Sequence, residues 1–226
     1  MKVLIVLAHP DKRSLNHAIL KSTVDYLKEK KHEIKVTDLY EQQWKAGVDS
    51  KDILNKGDDS RLFAMRDVGT AYLSGMITED IKQEQQKIEW ADLIIFQFPM
   101  WWYSMPALMK GWVDRVFTQN FIYTGEKMFD TAPFAGKKVF IVSTVGVPNG
   151  SYTDGQLGSI DSVFFPIQHG IFAFSGFTVL PAIIGYSADS RKSNCFEEIT
   201  NEIKERIDNI DVVEPLKYQQ TYSGPM

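Results

Sequence analysis

Three adjacent aromatic residues lie where a predicted strand gives way to a helix. The apolar run of residues 93–96 (LIIF) predicts the strand, and the apolar spacing over residues 106–117 predicts the helix. Residues 100–103 between them read MWWY, whereas surface turns normally carry Gly, Asn, Asp or Ser. Because these rings are costly to leave in water, we expect something flat and apolar to cover them. A bound flavin is the first candidate, and a partner subunit is the second.

Two further loops follow predicted strands. His9-Pro10 ends the apolar run of residues 2–8, because Pro has no N–H to donate to a β-ladder. In doubly wound parallel sheets, ligands sit beyond the carboxyl ends of the strands, near the switch in strand order. We therefore expect three loops to converge on one edge of the sheet: residues 9–16, 98–104 and 144–152.

The elements that would position these loops alternate between strand and helix. Strands are predicted at residues 2–8, 33–38, 92–98, 139–144 and 177–184. Helices are predicted from an N-cap at Ser14 to about residue 30, weakly over 61–73, after a cap at Thr78, over 106–117 and 163–174, and from Asp189 or Ser190 to residue 207. This alternation predicts an α/β fold with a doubly wound parallel sheet. Residues 39–60 and 119–136 are predicted loops, and residues 145–158 a turn.

Composition narrows the class of protein. The 226 residues, 44% of them hydrophobic, suit one domain over residues 1–226 with a polar tail from about residue 212. A net charge of −4 gives no electrostatic footprint for nucleic acid. No apolar run approaches the roughly 20 residues of a membrane span, so we expect no membrane insertion. The single Cys195 agrees with a reducing, cytoplasmic location.

Long stretches of the sequence resemble the FAD-dependent NAD(P)H:quinone oxidoreductases of the DT-diaphorase type. The matching stretches are LIVLAHP with Ser14-Leu15-Asn16, ADLIIFQFPMWWYSMPALMKGWVDRVF, and PIQHGIFAFSGF. The resemblance runs from about residue 2 to residue 207. It implies a flavodoxin-like five-stranded sheet of order 2-1-3-4-5 with helices on both faces, and a homodimer. It also implies an NAD(P)H dehydrogenase (quinone), in which hydride passes from NAD(P)H to FAD and two electrons then pass to a quinone in a ping-pong cycle. FMN is the less favoured cofactor.

The resemblance also implies which residues hold the cofactor. His9, Ser14, Leu15 and Asn16 match the pyrophosphate site, and the predicted helix start independently favours an anion there. The residues along the flavin ring would be Pro99, Met100, Trp101, Trp102 and Tyr103, and those at its pyrimidine edge Thr144, Val145, Gly146 and Val147. The residues near the adenosine would be Asp114, Arg191 and, in a loosely aligned segment, Phe63. From the residues alone, Asp114 and Arg191 could equally be surface charges, and the aromatic loop could be a dimer contact.

Tyr152 matches the family's tyrosine near flavin O2, and its hydroxyl could donate to a developing oxyanion. The family's neighbouring His is replaced by Leu157 or Gly158, with Gln156 as a possible substitute. The substrate cavity is implied to include Trp102, Tyr123, Thr124, Gly125, Met128 and Phe174, with Tyr123 and Met128 donated by the second subunit.

Some members of the resembled family carry zinc. His169 matches one ligand, but Ala173 fills the next ligand position and Cys195 does not match a third. One His cannot close a tetrahedral site, so we expect no structural metal.

Two other functions stay open. One is a flavoprotein regulatory or ancillary subunit of a membrane transport system with incidental quinone reductase activity. The other is a flavodoxin-like electron carrier, which the long loops 39–60 and 119–136 disfavour. The choice between NADH and NADPH is also open, since the sequence has no G-x-G-x-x-G motif.

Overall fold

A computed structural model of the protein describes residues 1–57, 61–153 and 156–218. The end of the first predicted loop at Ser60, Gly155 in the predicted turn, and the tail beyond residue 218 lie outside this range. Among the described helices, none combines the length and the apolar character that crossing a bilayer requires.

The centre of the molecule is a parallel sheet of the predicted order. Its strands are β1 (Lys2–Leu7), β2 (Glu33–Asp38), β3 (Leu93–Pro99), β4 (Lys138–Thr144), β5 (Thr178–Val179) and β6 (Ile183–Gly185). The order is β2-β1-β3-β4-β5, and β6 also pairs with β4. β3 is buried over its whole length, as a strand covered on both faces should be, which explains its continuous apolar sequence. The prediction of a doubly wound parallel sheet is confirmed.

The predicted fifth strand, residues 177–184, is wrong as one continuous element. β5 and β6 are separated at Leu180-Pro181-Ala182, where Pro181 has no N–H to give to β4. The pairing also shifts by one residue, from Val139 opposite Val179 to Val142 opposite Ile183. The proline is therefore accommodated as a local bulge in an otherwise parallel edge.

Helices cover both faces of the sheet. They are α1 (Leu15–Glu29), α2 (Ala64–Leu73), α3 (Glu79–Trp90), α4 (Ala107–Val116), α5 (Ile160–Ile167), which continues as a π-helical turn over Gln168–Ala173, and α6 (Cys195–Asp208). One apolar cluster joins the sheet to α1 and α6, and the other joins it to α3, α4 and α5. In the second cluster, the Phe96 ring lies 4.6 Å from Phe172 and 5.7 Å from Trp112.

Three predicted helix starts need correction. The last helix begins at Cys195, not at Asp189 or Ser190, because residues 187 and 188 pair with the loop after β4 instead. The helix predicted over residues 163–174 begins earlier, at Ile160, where the Ser159 hydroxyl accepts the Ser162 N–H. The helix predicted weakly over residues 61–73 begins at Ala64, three residues later. Thr78 is the N-cap residue of α3 as predicted, although its side chain makes no capping hydrogen bond.

The loop after β2 is fixed against α4 by buried charges. Asp52 and Arg115 are both buried and lie 2.8 Å apart, and Lys45 reaches the same carboxylate at 2.8 Å. The close approach also requires Gly111, because a Cβ there would lie 2.3 Å from the Ala46 carbonyl oxygen. A predicted loop thus becomes a well-packed segment that contains a short 3₁₀ turn, Ser50–Asp52.

A buried carboxylate ties α3 to its neighbours. Glu84 is 3% exposed and accepts three hydrogen bonds: from Thr37 Oγ1 at 2.8 Å, from Lys87 Nζ at 2.6 Å and from Trp112 Nε1 at 3.1 Å. All three partners are donors here, so both oxygens of Glu84 are needed as acceptors. The carboxylate links β2, α3 and α4 across the interior.

We predict that Glu84→Gln lowers the free energy of unfolding by about 3 kcal/mol, because it leaves Lys87 charged without its partner and turns an amide N–H₂ toward donors. Urea unfolding measured at equal m-values would test this. The matched control is Glu89→Gln on the exposed side of the same helix, with an expected change within about 0.5 kcal/mol. Equal effects of the two substitutions would contradict the structural role of Glu84.

Candidate active site

The three loops predicted to converge do meet at the carboxyl edge of the sheet. Main-chain hydrogen bonds join them: Ala8 N donates to Gln97 O (3.2 Å), Met100 N to Thr144 O (2.9 Å) and Val145 N to Gly185 O (2.9 Å). The ends of β1, β3, β4 and β6 therefore form one continuous surface.

A buried series of hydrogen bonds through Gln97, Asn16 and Thr144 fixes the start of α1 to this edge of the sheet. Gln97 Nε2 donates to the Asn16 carbonyl oxygen at 2.5 Å, and Asn16 Nδ2 donates to Thr144 Oγ1 at 3.0 Å. All three residues are buried. Asn16 Oδ1 is also buried and has no partner in the described chain, although buried acceptors are normally paired. This oxygen is a ready acceptor for a donor that a ligand would bring.

The start of α1 is suited to an anion. Ser14 is the N-cap and its hydroxyl accepts the His17 N–H, while the N–H groups of Leu15 and Asn16 have no acceptor within the helix. His9 lies in the preceding loop, with Nδ1 3.1 Å from Asp11 N. Burial lowers the pKa of His9, so the ring is neutral at pH 7. Nδ1 also lies 3.2 Å from the Asp11 carbonyl oxygen. In the tautomer in which Nδ1 accepts the Asp11 N–H, Nε2 carries the ring hydrogen and can donate it.

The aromatic segment forms a tight, strained turn. Trp101 and Ser104 exchange main-chain hydrogen bonds of 3.0 and 3.1 Å, and the two residues between them, Trp102 and Tyr103, have φ of +50° and +60°. Two consecutive left-handed residues define a type I′ turn, which usually carries Asn-Gly. Each left-handed non-glycine residue costs about 1–2 kcal/mol. The Trp102 side chain is 97% exposed. The turn therefore presents a large apolar ring to the outside at an energetic cost.

Tyr152 joins the same edge. Its ring meets Tyr103 edge-on, with 6.2 Å between centroids. Burial, together with the neighbouring Tyr103 and Tyr186, raises the pKa of Tyr152. The hydroxyl therefore keeps its proton to higher pH than an exposed tyrosine and can act as a donor. The loss of the family's relay His at Leu157 or Gly158, and its possible substitution by Gln156, stay predictions.

The loop after β4 is held from outside by the segment after β6. Ser187 N donates to Val147 O and Ala188 N to Val145 O, at 2.8 and 2.9 Å. A Cβ at position 146 would lie 2.5 Å from Asp189 Oδ2, so the exposed Asp189 side chain would have to turn away to admit one. These contacts explain why the last helix starts late.

Several main-chain groups of the predicted flavin loops are already used within the protein. The N–H groups of Met100, Trp101 and Val145 donate to carbonyl oxygens of the chain. Main-chain N–H donors to a bound ring would therefore come from Trp102, Tyr103, Gly146 and Val147, a narrower set than the sequence predicts.

Part of the predicted substrate wall packs together within one chain, without a ring contact to Trp102 among the described residues. The Tyr123 and Phe174 rings lie 5.2 Å apart, and Phe129 packs on Phe174 at 5.5 Å. Thr124 Oγ1 accepts the N–H groups of residues 126 and 127, and Met128 lies largely buried beside this loop. A Cβ at Gly125 would meet nothing within 4 Å, so this side is open. Trp102 has no ring neighbour within the described chain.

The residues predicted near an adenosine lie on α4, just before α2 and just before α6. Asp114 pairs with Lys110 at 2.6 Å and lines a cleft of about 250 Å³ between α2 and α4. The Arg61 and Arg66 guanidinium groups lie over the Phe63 ring, 4.7 and 4.2 Å from its centroid, and Arg191 is exposed ahead of α6. Their role at a nucleotide stays a prediction.

His169, the match to a zinc ligand, packs among aromatic rings. It stacks on Phe165 with 4.8 Å between centroids and an interplanar angle of 7°, and Tyr218 meets it edge-on at 5.2 Å. Within the described residues, no group of three or more His, Cys, Asp or Glu side chains could hold a metal ion.

Comparison with known proteins shows which family the chain belongs to. The profile of the flavodoxin-like fold family matches residues 1–208. The ribosyldihydronicotinamide dehydrogenase-like protein traD of Penicillium crustosum is 37% identical over 99% of this chain and 86% of its own length. NAD(P)H dehydrogenase [quinone] 1 of Rattus norvegicus is 35% identical over 96% of this chain and 80% of its own length.

Two solved structures share the fold of this chain. A protein assigned as a quinone reductase from Klebsiella pneumoniae superposes with a TM-score of 0.92 and is 38% identical, covering 97% of this chain and 88% of its own. General stress protein 14 of Treponema denticola, solved with FMN, shares the fold at a TM-score of 0.64 and 19% identity.

We predict that Thr144→Val weakens this edge. Removing Oγ1 leaves Asn16 Nδ2 buried without an acceptor, which should lower the free energy of unfolding by about 1–3 kcal/mol. Thr23→Val on α1 is the matched control, because the buried Thr23 Oγ1 has no partner in the described chain and its loss should cost nothing. Denaturant unfolding of both variants would measure the difference. A cost for Thr23→Val as large as that for Thr144→Val would show that loss of any buried hydroxyl, and not the Asn16 contact, sets the effect.

Proposed function

Because the chain belongs to the flavodoxin-like fold family and, within it, to the NAD(P)H dehydrogenases (quinone), we propose that it transfers two electrons from NAD(P)H to quinones or similar acceptors through a bound flavin. The observation that carries the proposal is the junction of an exposed aromatic turn, a helix start suited to phosphate and a tyrosine donor on one sheet edge. Relatives of 35–37% identity over most of the chain support the same class of reaction.

The residues present fit a flavin. A planar ring would cover the Trp102 side chain and offset the strain of the left-handed turn, and its polar edge would find main-chain groups of Gly146 and Val147. The unpartnered Asn16 Oδ1 would accept a hydroxyl or N–H from the cofactor. When bound, the flavin would supply the redox chemistry, taking hydride from NAD(P)H and passing two electrons to the acceptor.

FAD is the proposed form of the cofactor, with FMN as the less favoured one. A pyrophosphate would lie at the start of α1, where the N–H groups of Leu15 and Asn16, the Ser14 cap and His9 Nε2 provide donors. The adenosine would extend toward Arg191 and Asp114. The FMN-containing neighbour is only 19% identical, so it bears on the fold and not on the choice of cofactor.

Tyr152 is the proposed catalytic residue. A tyrosine hydroxyl is protonated at neutral pH, and the raised pKa of Tyr152 extends this to higher pH, so the hydroxyl can donate a hydrogen bond to negative charge that develops at the pyrimidine edge. Trp102 would hold NAD(P)H and the acceptor in turn against the same exposed face. One shared cavity implies a ping-pong cycle, because the first product must leave before the acceptor can enter.

We propose that the enzyme is a homodimer whose subunits complete each other's cavity. Within one chain, Tyr123 and Phe174 pack on each other and not on Trp102. A partner subunit could bring the Tyr123, Thr124, Gly125 and Met128 loop over the exposed Trp102, with Phe174 as the floor. A cytoplasmic location stays an expectation based on the single Cys195.

Anaerobic stopped-flow mixing would test the cycle. We predict that NAD(P)H alone bleaches the flavin absorbance, and that a quinone added afterwards restores it. Steady-state rates at several fixed quinone concentrations should give parallel double-reciprocal lines. Intersecting lines, which indicate a ternary complex, would contradict a shared cavity.

Trp102→Asn would test the aromatic turn. Asn adopts the left-handed conformation at a lower cost than Trp, and Trp102 is 97% exposed, so the apoprotein should be at least as stable as the unmodified protein. Loss of an aromatic stacking contribution of about 1–1.5 kcal/mol should lower kcat/KM for the quinone about tenfold. Val212→Asn, also at a highly exposed apolar residue, is the control for both measurements. An unchanged kcat/KM in Trp102→Asn would remove Trp102 from the cavity.

A further inference from the structure

The tail after α6 is attached to the sheet and to the end of α5. Leu216 N donates to a carbonyl oxygen of β5 at 2.8 Å, which places the tail beside that strand. Leu216 and Tyr218 both pack against the apolar cluster that joins the sheet to α3, α4 and α5. The Tyr218 ring meets the His169 ring edge-on at 5.2 Å and the Phe165 ring at 5.9 Å. The tail therefore holds on to α5 and to the π-helical turn that follows it.

A continuous series of aromatic contacts runs from Tyr218 to the predicted substrate wall. Beyond its contact with Tyr218, the His169 ring lies 5.8 Å from Phe129. Phe129 packs on Phe174 at 5.5 Å, and Phe174 packs on Tyr123 at 5.2 Å. All these distances fall in the range of about 4.5–7 Å in which aromatic pairs attract each other. The tail and the wall thus belong to one packed group of rings.

Main-chain hydrogen bonds reinforce this path. Phe174 N donates to His169 O at 3.0 Å across the π-helical turn, and Phe174 O accepts the Phe129 N–H at 2.8 Å. Gly176 permits the close approach of the two segments, because a Cβ there would lie 2.7 Å from the Phe129 carbonyl oxygen. Phe129 has φ of +52°, a left-handed conformation that persists only when its surroundings hold it. The position of the Phe174 ring is therefore set by His169 and Phe129 together.

The Tyr218 hydroxyl contributes less to this attachment than the ring does. Its oxygen lies 3.4 Å from Gln168 Oε1, which is long for a hydrogen bond between two oxygen atoms. Burial raises the pKa of Tyr218 to about 12, so the hydroxyl stays protonated and is the donor. Phenylalanine at this position would keep both ring contacts and lose only the long hydrogen bond. Alanine would lose all of them.

We propose that Tyr218 is a positioning residue, which holds the Phe174 ring in place as the floor of the cavity where a quinone stacks. It acts through His169 and Phe129 and does not touch the acceptor. The inference rests on the proposed function, because it takes a quinone as the acceptor. A flat acceptor benefits from a wall that is already ordered, since less side-chain freedom is lost when it binds. A compact acceptor that does not stack gains nothing from this order.

Hydrogen–deuterium exchange of the purified protein tests the path independently of activity. Tyr218→Ala removes two ring contacts, so the N–H groups of residues 169–177 should exchange about tenfold faster. Tyr218→Phe should keep the slow exchange. Tyr26→Ala is the matched control, because Tyr26 is also partly buried but packs in the other apolar cluster, with α1 and α6. It should leave exchange in residues 169–177 unchanged. Unchanged exchange in Tyr218→Ala would overturn the inference alone.

Steady-state kinetics with two acceptors test the effect on the cavity. In a ping-pong cycle, kcat/KM for the acceptor reports only the half-reaction in which the acceptor is reduced. For a quinone, Tyr218→Ala should lower kcat/KM about fivefold through a higher KM, with kcat nearly unchanged, and Tyr218→Phe should restore it. Ferricyanide, a compact octahedral anion without a flat face, should keep its kcat/KM. Equal losses for both acceptors, or no loss for the quinone, would overturn the inference.

His169→Leu covers the case in which Tyr218→Ala does not fold. It interrupts the same path at the next ring, so it should also speed up exchange in residues 169–177 and lower kcat/KM for the quinone but not for ferricyanide. Normal exchange and normal quinone kinetics in His169→Leu would overturn the inference. Failure of the unmodified protein to bind a flavin or to reduce any quinone would overturn the proposed function, and the inference with it.

Discussion

The site depends on one buried chain of hydrogen bonds, from Gln97 to the Asn16 carbonyl and from the Asn16 amide to Thr144. Polar groups at the covered end of a parallel sheet must find partners, because water does not reach them. Here they find each other, and in doing so they set the start of α1 against the ends of β3 and β4. Asn16 lies at the helix start, Gln97 lies in β3 just before the aromatic turn, and Thr144 ends β4 just before its loop. The helix start, the aromatic turn and the loop after β4 can therefore act on one ligand.

The aromatic turn has a costly conformation that the surrounding fold must stabilise. Two left-handed aromatic residues with an almost fully exposed Trp102 are costly in an isolated chain. Such a conformation persists only when its surroundings hold it, and here the reciprocal bonds of Trp101 and Ser104 do so. A planar cofactor on one side and a second subunit on the other would both remove the exposed ring from water. The two sequence-based candidates for the cover are therefore compatible with each other.

The sequence predicts most of the fold because periodic apolar runs and turn residues are local signals. It predicts β1, β2, β3 and β4 to within a residue or two, and the loops at their ends. It fails where a distant contact decides, as at Asp189 and Ser190, where pairing of residues 187 and 188 with the loop after β4 delays the last helix. It also misses the contacts of the His17 ring with Ser14 and Asp38, because only the fold brings these side chains together. Gln97 did carry a signal, as a lone amide inside an apolar strand.

The proposed function depends on the binding of a flavin at this edge of the sheet. The most direct test is an absorbance spectrum of the purified protein, followed by heat release and chromatography of the chromophore. We predict that the purified protein shows two absorbance bands, in the near-ultraviolet and the blue, and that heating releases FAD. A colourless protein that also fails to bind added FAD or FMN would contradict it, and would leave the aromatic turn as a surface for binding another protein.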